Sequence, residues 1–340
     1  MCQHKDEMER RRLFEMLCSS AIMSAAKPSI AIIGPGALGS ALALALHKAG
    51  YPVAAIMARP SSMARAHKLA RRIGSRAVAL EAPGTLRRAA RNEMSATDTG
   101  ATDSAAPDAG IFWICVPDDA IAGCASALAS TMRSGWKWKK ADWKRRTVLH
   151  SSGALGSSEL STLRRLGASV GSVHPMMTFA SSGAHSFSGV PFALEGDRRA
   201  LGRARAIARA LGGEVLALRP RDKALYHLWG FMSSPLLLTL LFTAEGVGAV
   251  AGIPRRRGRS LLAPMLRQTV ENYERHGAAA SLTGPLVRGD VETIRKHIRA
   301  LRRVPQALEV YLALARAATR SLPVKNRREI QLLLRNGERS

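Results

Sequence analysis

The sequence predicts an α/β protein in which an N-terminal, doubly wound and mostly parallel sheet precedes an all-α C-terminal domain. The first observation is a segment near residue 30 where an apolar strand, a glycine-rich turn and an apolar helix follow one another. The second is the alternation of strand-like and helix-like segments up to residue 218. The third is that strand signals end at Asp222 and only helical periodicity follows.

The glycine-rich turn lies in the setting that a dinucleotide site requires. Residues 29–33 form the strand, the turn reads G-x-G-x-x-G, and residues 37–47 form the helix. Gly34 permits a tight turn, Gly36 lets the backbone approach a pyrophosphate, and Gly39 lets the helix pack closely on the strand. The helix N-terminus adds free N–H groups for the phosphates. The alternative is a tight turn without a ligand. The predicted cofactor-binding residues of this Rossmann-type turn are Gly34, Pro35, Gly36, Ala37, Leu38 and Gly39.

The remaining elements follow from hydrophobic patterning. Further strands are predicted at 51–57, 75–80, 110–116, 146–150, 168–173, 190–195 and 214–218. Helices are predicted at 63–73, 121–132 and 198–211, and then at 223–252, 260–276, 290–303 and 305–321. A polar stretch over 92–110 predicts a surface insertion. The expected regions are a loosely ordered extension (1–27), a Rossmann domain (28–220), a helical substrate and dimerisation domain (221–322) and a tail (323–340).

Two segments admit interpretations other than a soluble core. Residues 236–253 are apolar but carry Thr239, Thr243 and Glu245, so a helix buried in a domain core or a dimer interface is favoured over a membrane span. Residues 136–143 place tryptophans among lysines, a pattern that can stack on bases or lie at a membrane surface. A local turn whose tryptophans cover the sheet edge is the favoured interpretation.

Charge and cysteine content restrict the function classes. The formal net charge is +26, yet the positive residues are spread through arginine-rich helices and no nucleic-acid recognition signature accompanies them. Nucleic-acid binding is therefore disfavoured, although the charge can attract an anionic cofactor and substrate. The four cysteines show neither metal-binding nor redox spacing. We therefore expect a cytoplasmic protein without a metal.

The end of the second strand bears on the choice of cofactor. NAD-selective sites carry an acid about 20 residues after the glycines, where it binds the ribose 2′-hydroxyl. Arg59 and Ser61 stand here instead, and both can bind a 2′-phosphate, so NADP is favoured over NAD. Val116, Pro117 and Asp118 close the fourth strand at the same sheet edge and are further cofactor candidates. Asp118 or Asp119 equally suits a helix N-cap.

Polar residues follow the next two strands at that edge. Ser151 and Ser152 come after the fifth strand and can bind a substrate carboxylate or the nicotinamide amide, or can simply support the turn. His174 follows the sixth strand, where it can act as an acid or base in the substrate site or serve as a structural histidine.

The start of the helical domain supplies the catalytic candidates. Lys223 and His227 are spaced i, i+4, so both lie on one helix face, with Ser234 further along it. Repulsion between them would lower the lysine pKa and make a proton donor to a carbonyl or imine. A snorkelling lysine and a core histidine are the alternative. Thr283 and Arg288, in a later glycine-proline loop, can bind a substrate anion or merely join two helices, with Asp290 as an N-cap.

Several motifs, taken in order, resemble one family of Rossmann-like proteins whose C-terminal part is a domain of unknown function. The motifs are Gly34-Pro-Gly-Ala-Leu-Gly39, Val116-Pro-Asp-Asp-Ala-Ile121, His150-Ser-Ser-Gly-Ala-Leu155, His174-Pro175 with Thr178-Phe179, Pro191-Phe-Ala-Leu-Glu-Gly-Asp197, Lys223-Ala-Leu-Tyr-His227 and Thr283-Gly-Pro285 with Arg288-Gly-Asp290. The resemblance spans residues 29–323. In layout the family is similar to pyrroline-5-carboxylate reductases and, more loosely, to 3-hydroxyacid dehydrogenases.

The resemblance implies an NADP-binding domain joined to a helical domain that forms a homodimer, in which a substrate loop can come from the partner subunit. It places Ser233-Ser234-Pro235 where the reductases carry Ser-Gly-Pro, and a substrate loop at 281–284. It also places Lys223 and His227 at the Lys–Asn spacing of the hydroxyacid dehydrogenases. Histidine replaces that asparagine, and the reductases' Gly-Gly-Thr-Thr run is absent, so the substrate does not carry over.

The sequence therefore predicts an NADP-dependent oxidoreductase. Its substrate would be a small anionic carbonyl or imine, or the corresponding hydroxy or amino compound. The alternative is an NADP-binding sensor or scaffold that catalyses nothing.

Overall fold

A computed structural model of the chain describes residues 27–80, 108–130, 140–179 and 185–337. The predicted N-terminal extension, up to residue 26, and the part of the predicted insertion up to residue 107 lie outside these ranges. The same holds for the tryptophans at 136 and 138.

An eight-stranded sheet organises the N-terminal part of the chain. Its strands are β1 (Ile30–Ile33), β2 (Val53–Ala58), β3 (Arg76–Ala79), β4 (Ile111–Ile114), β5 (Thr147–His150), β6 (Ser169–Pro175), β7 (Pro191–Gly196) and β8 (Glu214–Ala217). Their order is β3-β2-β1-β4-β5-β6-β7-β8, and every neighbouring pair is parallel except β6 and β7. The predicted doubly wound, mostly parallel sheet is confirmed.

Helices cover both faces of this sheet, which explains why the central strands are apolar runs rather than alternating ones. They are α1 (Ala37–Lys48), α2 (Met63–Arg72), α3 (Ile121–Ser130), α4 (Lys140–Trp143), α5 (Ser161–Arg165) and α6 (Arg198–Ala210). Short 3-10 turns at Pro60–Ser62, Asp118–Ala120, Ser157–Leu160 and Pro220–Asp222 precede helices. One core layer contains Ile32, Leu42 and Trp113, and the other contains Ile33, Phe112 and Leu128.

Trp143 is a core residue. It is fully buried, and its ring lies 5.9 Å from that of Phe112 at an angle of 48°. Trp143 therefore packs on the face of the sheet against the central strand β4, and does not cover the sheet edge as the favoured interpretation predicted. Its ring is covered within the chain, so it does not stack on nucleic-acid bases.

The chain forms two compact units, Met1–Gly230 and Phe231–Ser340. The division falls within α7 (Lys223–Ser233), past the boundary that composition suggested near Arg219. The further helices are α8 (Pro235–Val250), α9 (Arg255–Ser281, with a non-helical Gly277), α10 (Pro285–Arg288), α11 (Val291–Leu301), α12 (Pro305–Ser321) and α13 (Arg327–Asn336). The helices predicted over 260–276, 290–303 and 305–321 are present as α9, α11 and α12, whereas the helix predicted over 223–252 is divided into α7 and α8 at Ser234. Helices α10 and α13 were not predicted.

The second unit has a small core of its own. Ile294 and Ile298 of α11, Leu312 of α12, and Ile330 and Leu334 of α13 are buried together. The tail helix is thus part of this core rather than an appendage.

Helix α8 does not occupy a domain core, which corrects one of the two expectations for the 236–253 segment. None of its residues is buried within the chain, although it packs against α9 and α12. By length and composition, Pro220–Val250 is the one stretch in the described residues apolar enough to cross a membrane, and none of its most apolar window is buried. Of the two locations expected for this helix, a domain core and a dimer interface, the dimer interface remains.

Candidate active site

The glycine turn has the geometry that its sequence predicted. Gly34 has a φ of +102°, and a Cβ there would lie 2.4 Å from the carbonyl oxygen of Cys115. A Cβ on Gly39 would lie 2.0 Å from the oxygen of Gly34, so the helix approaches the strand as closely as glycine allows. A Cβ on Gly36 would meet nothing within 4 Å. Gly36 therefore faces open space at the start of α1, whose first turn no side chain caps.

The end of β2 carries the residues expected to distinguish NADP from NAD. Arg59 and Ser61 are exposed, and the 3-10 turn begins directly after Arg59. Ser62 is buried and its Oγ accepts a hydrogen bond from Arg65 Nη2 at 3.1 Å. Arg59 and Ser61 are thus the exposed groups here, and the guanidinium of Arg59 is the one that carries a positive charge for an anion at this edge.

The carboxyl ends of β4, β5 and β6 bring several predicted residues together. Ser152 Oγ donates to Asp118 Oδ2 at 2.8 Å and accepts from the Leu155 amide at 2.8 Å. Ser151 Oγ accepts from Trp113 Nε1 at 2.8 Å. Both serine hydroxyls thus hold the loop after β5. Asp118 links the loop after β4 to it, and no side-chain cap forms on the 3-10 turn that Asp118 begins.

Lys223 reaches into this edge from the start of α7. Its side chain is buried, and its Nζ donates to Ser172 Oγ at 2.6 Å and to the Ser152 carbonyl oxygen at 3.1 Å. Burial lowers the pKa of Lys223 to about 8, while the carboxylates of Glu195 and Asp118 oppose that shift. The lowered pKa was predicted, but its cause was assigned wrongly, because burial and not repulsion from a histidine produces it.

Three further groups adjoin the lysine. His174 Nδ1 lies 2.9 Å from the Tyr226 hydroxyl, and the rings of His174 and His227 are 6.3 Å apart. A Cβ on Gly153 would fall 2.7 Å from His227 Cδ2 and 3.0 Å from His174 Nε2. Both imidazoles therefore lie against Gly153. Burial, followed by the charges of Lys223 and His227, lowers the pKa of His174 to about 4, so it is neutral at physiological pH.

A second network of hydrogen bonds holds the loop after β5 from behind. The buried carboxylate of Glu195 accepts from the Ser157 amide at 2.6 Å and from Ser157 Oγ at 2.8 Å. Arg164 donates to Ser157 Oγ at 3.0 Å and pairs with Asp197 at 3.0 Å. His150 spans the loop, with its Nε2 3.0 Å from the Gly156 oxygen and its Nδ1 accepting from the Ser152 amide.

The other predicted substrate residues belong to the second unit. Ser234 is the N-cap residue of α8, and Thr283 and Arg288 are exposed around the short helix α10. Asp290 caps α11 as predicted, because its Oδ1 accepts from the Thr293 amide at 3.0 Å. A substrate role for the first three stays a prediction.

Sequence reasoning missed Tyr226, Ser172 and Glu195. Tyr226 lies between the two predicted catalytic positions on α7, but it reads as an ordinary buried aromatic residue. Ser172 and Glu195 are brought opposite each other by the antiparallel register of β6 and β7. That pairing has no local signature in the sequence.

Comparisons with known proteins agree with this architecture. Residues 190–318 match the family described as a domain of unknown function (DUF2520), and residues 30–98 match ketopantoate reductase PanE/ApbA. No curated protein matches the chain. The match over residues 190–318 confirms the resemblance that the motifs indicated, to proteins whose C-terminal part is a domain of unknown function.

Solved structures share the fold at low sequence identity. A candidate NADP oxidoreductase from Bacteroides fragilis has a TM-score of 0.62 and 19% identity, covering 86% of this chain and 98% of that one. A protein from Thermotoga maritima gives 0.58 and 19%, covering 92% and 100%. A reductive aminase from Aspergillus terreus in complex with NADPH and ethyl-5-oxohexanoate gives 0.56 and 15%, covering 90% and 99%. The chain thus joins a ketopantoate reductase-like N-terminal segment to a DUF2520 region on the Rossmann-type fold that these structures share.

Proposed function

We propose that this protein is an NADP-dependent oxidoreductase that reduces a small, anionic carbonyl or imine compound, or catalyses the reverse oxidation. The observation that carries the proposal is one sheet edge where an open glycine turn and a buried lysine occur together. Gly36 and Lys223 mark these two features. Open sheets of this kind bind ligands at the carboxyl ends of their strands.

The glycine turn fits a dinucleotide. The open space at Gly36 and the uncapped start of α1 suit a pyrophosphate, and the exposed Arg59 suits a 2′-phosphate. When bound, the nicotinamide supplies or accepts the hydride. Pro117 and Asp118, at the end of β4, would border the nicotinamide.

Lys223 is proposed to supply the proton. Its ammonium has three N–H donors, and two of them are taken by Ser172 Oγ and the Ser152 carbonyl within the described part of the chain. The third is free to donate to a substrate oxygen or nitrogen. A pKa of about 8 balances holding that proton and giving it up near neutral pH. His227 is exposed and is proposed to pass protons between Lys223 and solvent.

The other predicted residues complete the proposal. Ser151 and Ser152 hold the loop after β5, which would face the nicotinamide. Ser234, Thr283 and Arg288 are proposed to bind the substrate, with Arg288 holding its anionic group. The reductive aminase named above is described with a ketone and NADPH, which supports a carbonyl or imine as the reacting group.

The experiment has two steps. Thermal-shift and fluorescence titrations with NADPH and NADH test the cofactor, and tighter binding of NADPH is expected. NADPH oxidation is then followed with 2-oxo acids, cyclic imino acids, and ethyl-5-oxohexanoate with and without amines. Absence of stabilisation by either dinucleotide overturns the proposal. Tight NADPH binding with no turnover across the panel would instead favour an NADP-binding sensor or scaffold. In such a protein the buried Lys223 would hold the loop after β5 and would not reach a substrate.

We also propose that the protein is a cytoplasmic homodimer held by its helical unit. Large apolar side chains of α8 are exposed, among them Leu237, Leu238 and Phe242. A cleft of about 710 Å³ in the same unit is lined by apolar residues of α8, α11 and α12, including Leu240 and Leu314. Apolar surface on this scale supports an interface with a second copy.

A further inference from the structure

A hydrogen bond joins a tyrosine and a histidine next to Lys223. His174 is the second-last residue of β6, not a loop residue after it as the sequence suggested, and Tyr226 lies in α7. The contact therefore ties the sheet to the helix that carries Lys223. The Tyr226 hydroxyl lies 2.9 Å from His174 Nδ1, and the two rings meet edge to face with centroids 5.6 Å apart.

The direction of this hydrogen bond follows from the available partners. Tyr226 is buried to 6% exposure, and burial raises the pKa of its hydroxyl to about 12, so the hydroxyl keeps its proton. Among the described residues, the hydrogen-bond partner of this hydroxyl is His174 Nδ1. A buried hydroxyl proton needs an acceptor, so Tyr226 donates and Nδ1 accepts. Since His174 is neutral, its proton resides on Nε2.

The charges around His174 favour that neutral state. Lys223 on α7 and His227 one turn later both disfavour the imidazolium, and the Asp118 carboxylate after β4 opposes them with a smaller effect. Nε2 lies on the side of the ring that faces Gly153 and His227. Because His227 is exposed, this side of the cluster reaches the protein surface.

We propose that Tyr226 is a positioning residue that fixes His174 as the Nε2–H tautomer, so that neutral His174 donates a hydrogen bond to the substrate's carbonyl oxygen or imine nitrogen. Such a donor polarises the reacting group without transferring its proton. His174 thereby orients the substrate, while Lys223 supplies the proton. The substrate-binding half of this inference rests on the proposed function, whereas the tautomer does not.

The tautomer is tested by nitrogen NMR on the full-length, ¹⁵N-labelled protein without cofactor or substrate. The His174→Gln variant identifies the signals of His174. Between pH 6 and pH 8 we expect an unprotonated Nδ1 and a protonated Nε2. In Tyr226→Phe we expect a mixture of tautomers, because the ring is kept and only the donor is lost. An Nδ1-protonated or charged His174 in the unmodified protein overturns the inference, and so does a tautomer that Tyr226→Phe leaves unchanged.

The chain supplies a matched control. His297 Nδ1 lies 3.3 Å from the Tyr311 hydroxyl in the second unit, with the rings 5.9 Å apart. Tyr311→Phe should change the signals of His297 and leave those of His174 as they were. If Tyr226→Phe does not fold, the tautomer of the unmodified protein decides the question alone.

The substrate contact is tested by kinetics with NADPH and ethyl-5-oxohexanoate, or with the panel compound that is reduced fastest. The side-chain amide of glutamine reaches the Nε2 position and that of asparagine the Nδ1 position. His174→Gln should therefore retain more kcat than His174→Asn, for which a loss on the order of 100-fold is expected. Equal losses would overturn the contact. Absence of any turnover in the unmodified protein would contradict the proposed function, while the NMR result would stand.

Discussion

Lys223 combines burial with a position at the sheet edge, and its protonation sets an expected pH dependence. The ammonium form donates the proton in the reducing direction, and this form predominates below the pKa of about 8. We expect kcat for reduction to be level below pH 8 and to fall about tenfold per pH unit above it. Stopped-flow or steady-state NADPH oxidation between pH 6 and pH 10 measures this profile.

Two variants accompany that profile. Lys223→Met should remove the break together with most of the activity, while Lys296→Met, which changes an exposed lysine of the second unit, should preserve both. A reduction rate that rises above pH 8 would contradict the assignment of Lys223 as the proton donor.

Arg59 is the residue on which cofactor choice is expected to depend. Its guanidinium is exposed at the end of β2, and the sequence offers no acid there for a ribose 2′-hydroxyl. Arg59→Ala should weaken NADPH binding by about 10- to 100-fold, the range for a charged hydrogen-bonded pair. The affinity for NADH should change little. Isothermal titration with both cofactors checks this, and equal losses for the two would remove Arg59 from the 2′-phosphate site.

At the scale of an element, two glycines of the turn are expected to have different roles, Gly36 in cofactor binding and Gly39 in folding. Gly36 adopts an extended φ of −76° and has open space around it, so Gly36→Ala should fold normally. The added methyl group would stand where a pyrophosphate must approach, and NADPH affinity should fall roughly tenfold or more.

Gly39→Ala is the matched comparison, since its Cβ would collide with the oxygen of Gly34. That variant should lose several degrees in Tm or fail to fold. Thermal unfolding and NADPH titration of both variants give the answer. Undiminished NADPH binding by Gly36→Ala would show that the dinucleotide does not use this turn.

The loop after β5 depends on one buried carboxylate. Glu195 accepts two hydrogen bonds from Ser157, and both are lost or weakened in Glu195→Gln. The free energy of unfolding should fall by about 1–3 kcal/mol, as for other charged hydrogen bonds. Because Glu195 raises the pKa of Lys223, the break in the pH profile should also move to lower pH.

Urea unfolding and the pH–rate profile measure the two effects of Glu195→Gln. Glu214→Gln, at an exposed position on β8, serves as the control and should change stability by less than about 0.5 kcal/mol. An unchanged stability in Glu195→Gln would mean that the loop is held by other contacts.

For the whole molecule, local signals predicted the order of elements and tertiary contacts decided the site. Apolar runs marked the strands, and the glycine spacing marked the turn. The i, i+4 spacing of Lys223 and His227 predicted a shared face, but not that Lys223 would be buried against Ser172. That contact depends on the register of β6 and on how α7 meets the sheet, neither of which is encoded within a few residues of the lysine.

In the helical unit, too, features with a local sequence signal were predicted and those that depend on tertiary contacts were not. The N-cap at Asp290 was recognisable because its partner lies three residues away. Helix α13 was missed although Ile330 and Leu334 are spaced i, i+4, because a basic and polar segment surrounds them. The exposure of α8 was not predictable from its composition, since an apolar helix suits a core and an interface equally well.

That exposure leads to a prediction about assembly. Leu238 of α8 is 64% exposed, and α8 has no buried residue although most of its side chains are apolar. If a second copy covers it, Leu238→Glu should convert a dimer to a monomer with little loss of monomer stability, since the substitution disturbs no core contact. Light scattering coupled to gel filtration measures the mass. Leu332→Glu, at a 59% exposed position on α13, should leave the dimer intact.

The stretch Pro220–Val250 is also apolar enough for a membrane, so the same samples should be sedimented with phospholipid vesicles. A monomeric unmodified protein that sediments with vesicles would assign α8 to a lipid surface, whereas a dimer that stays in solution means that the second copy covers it.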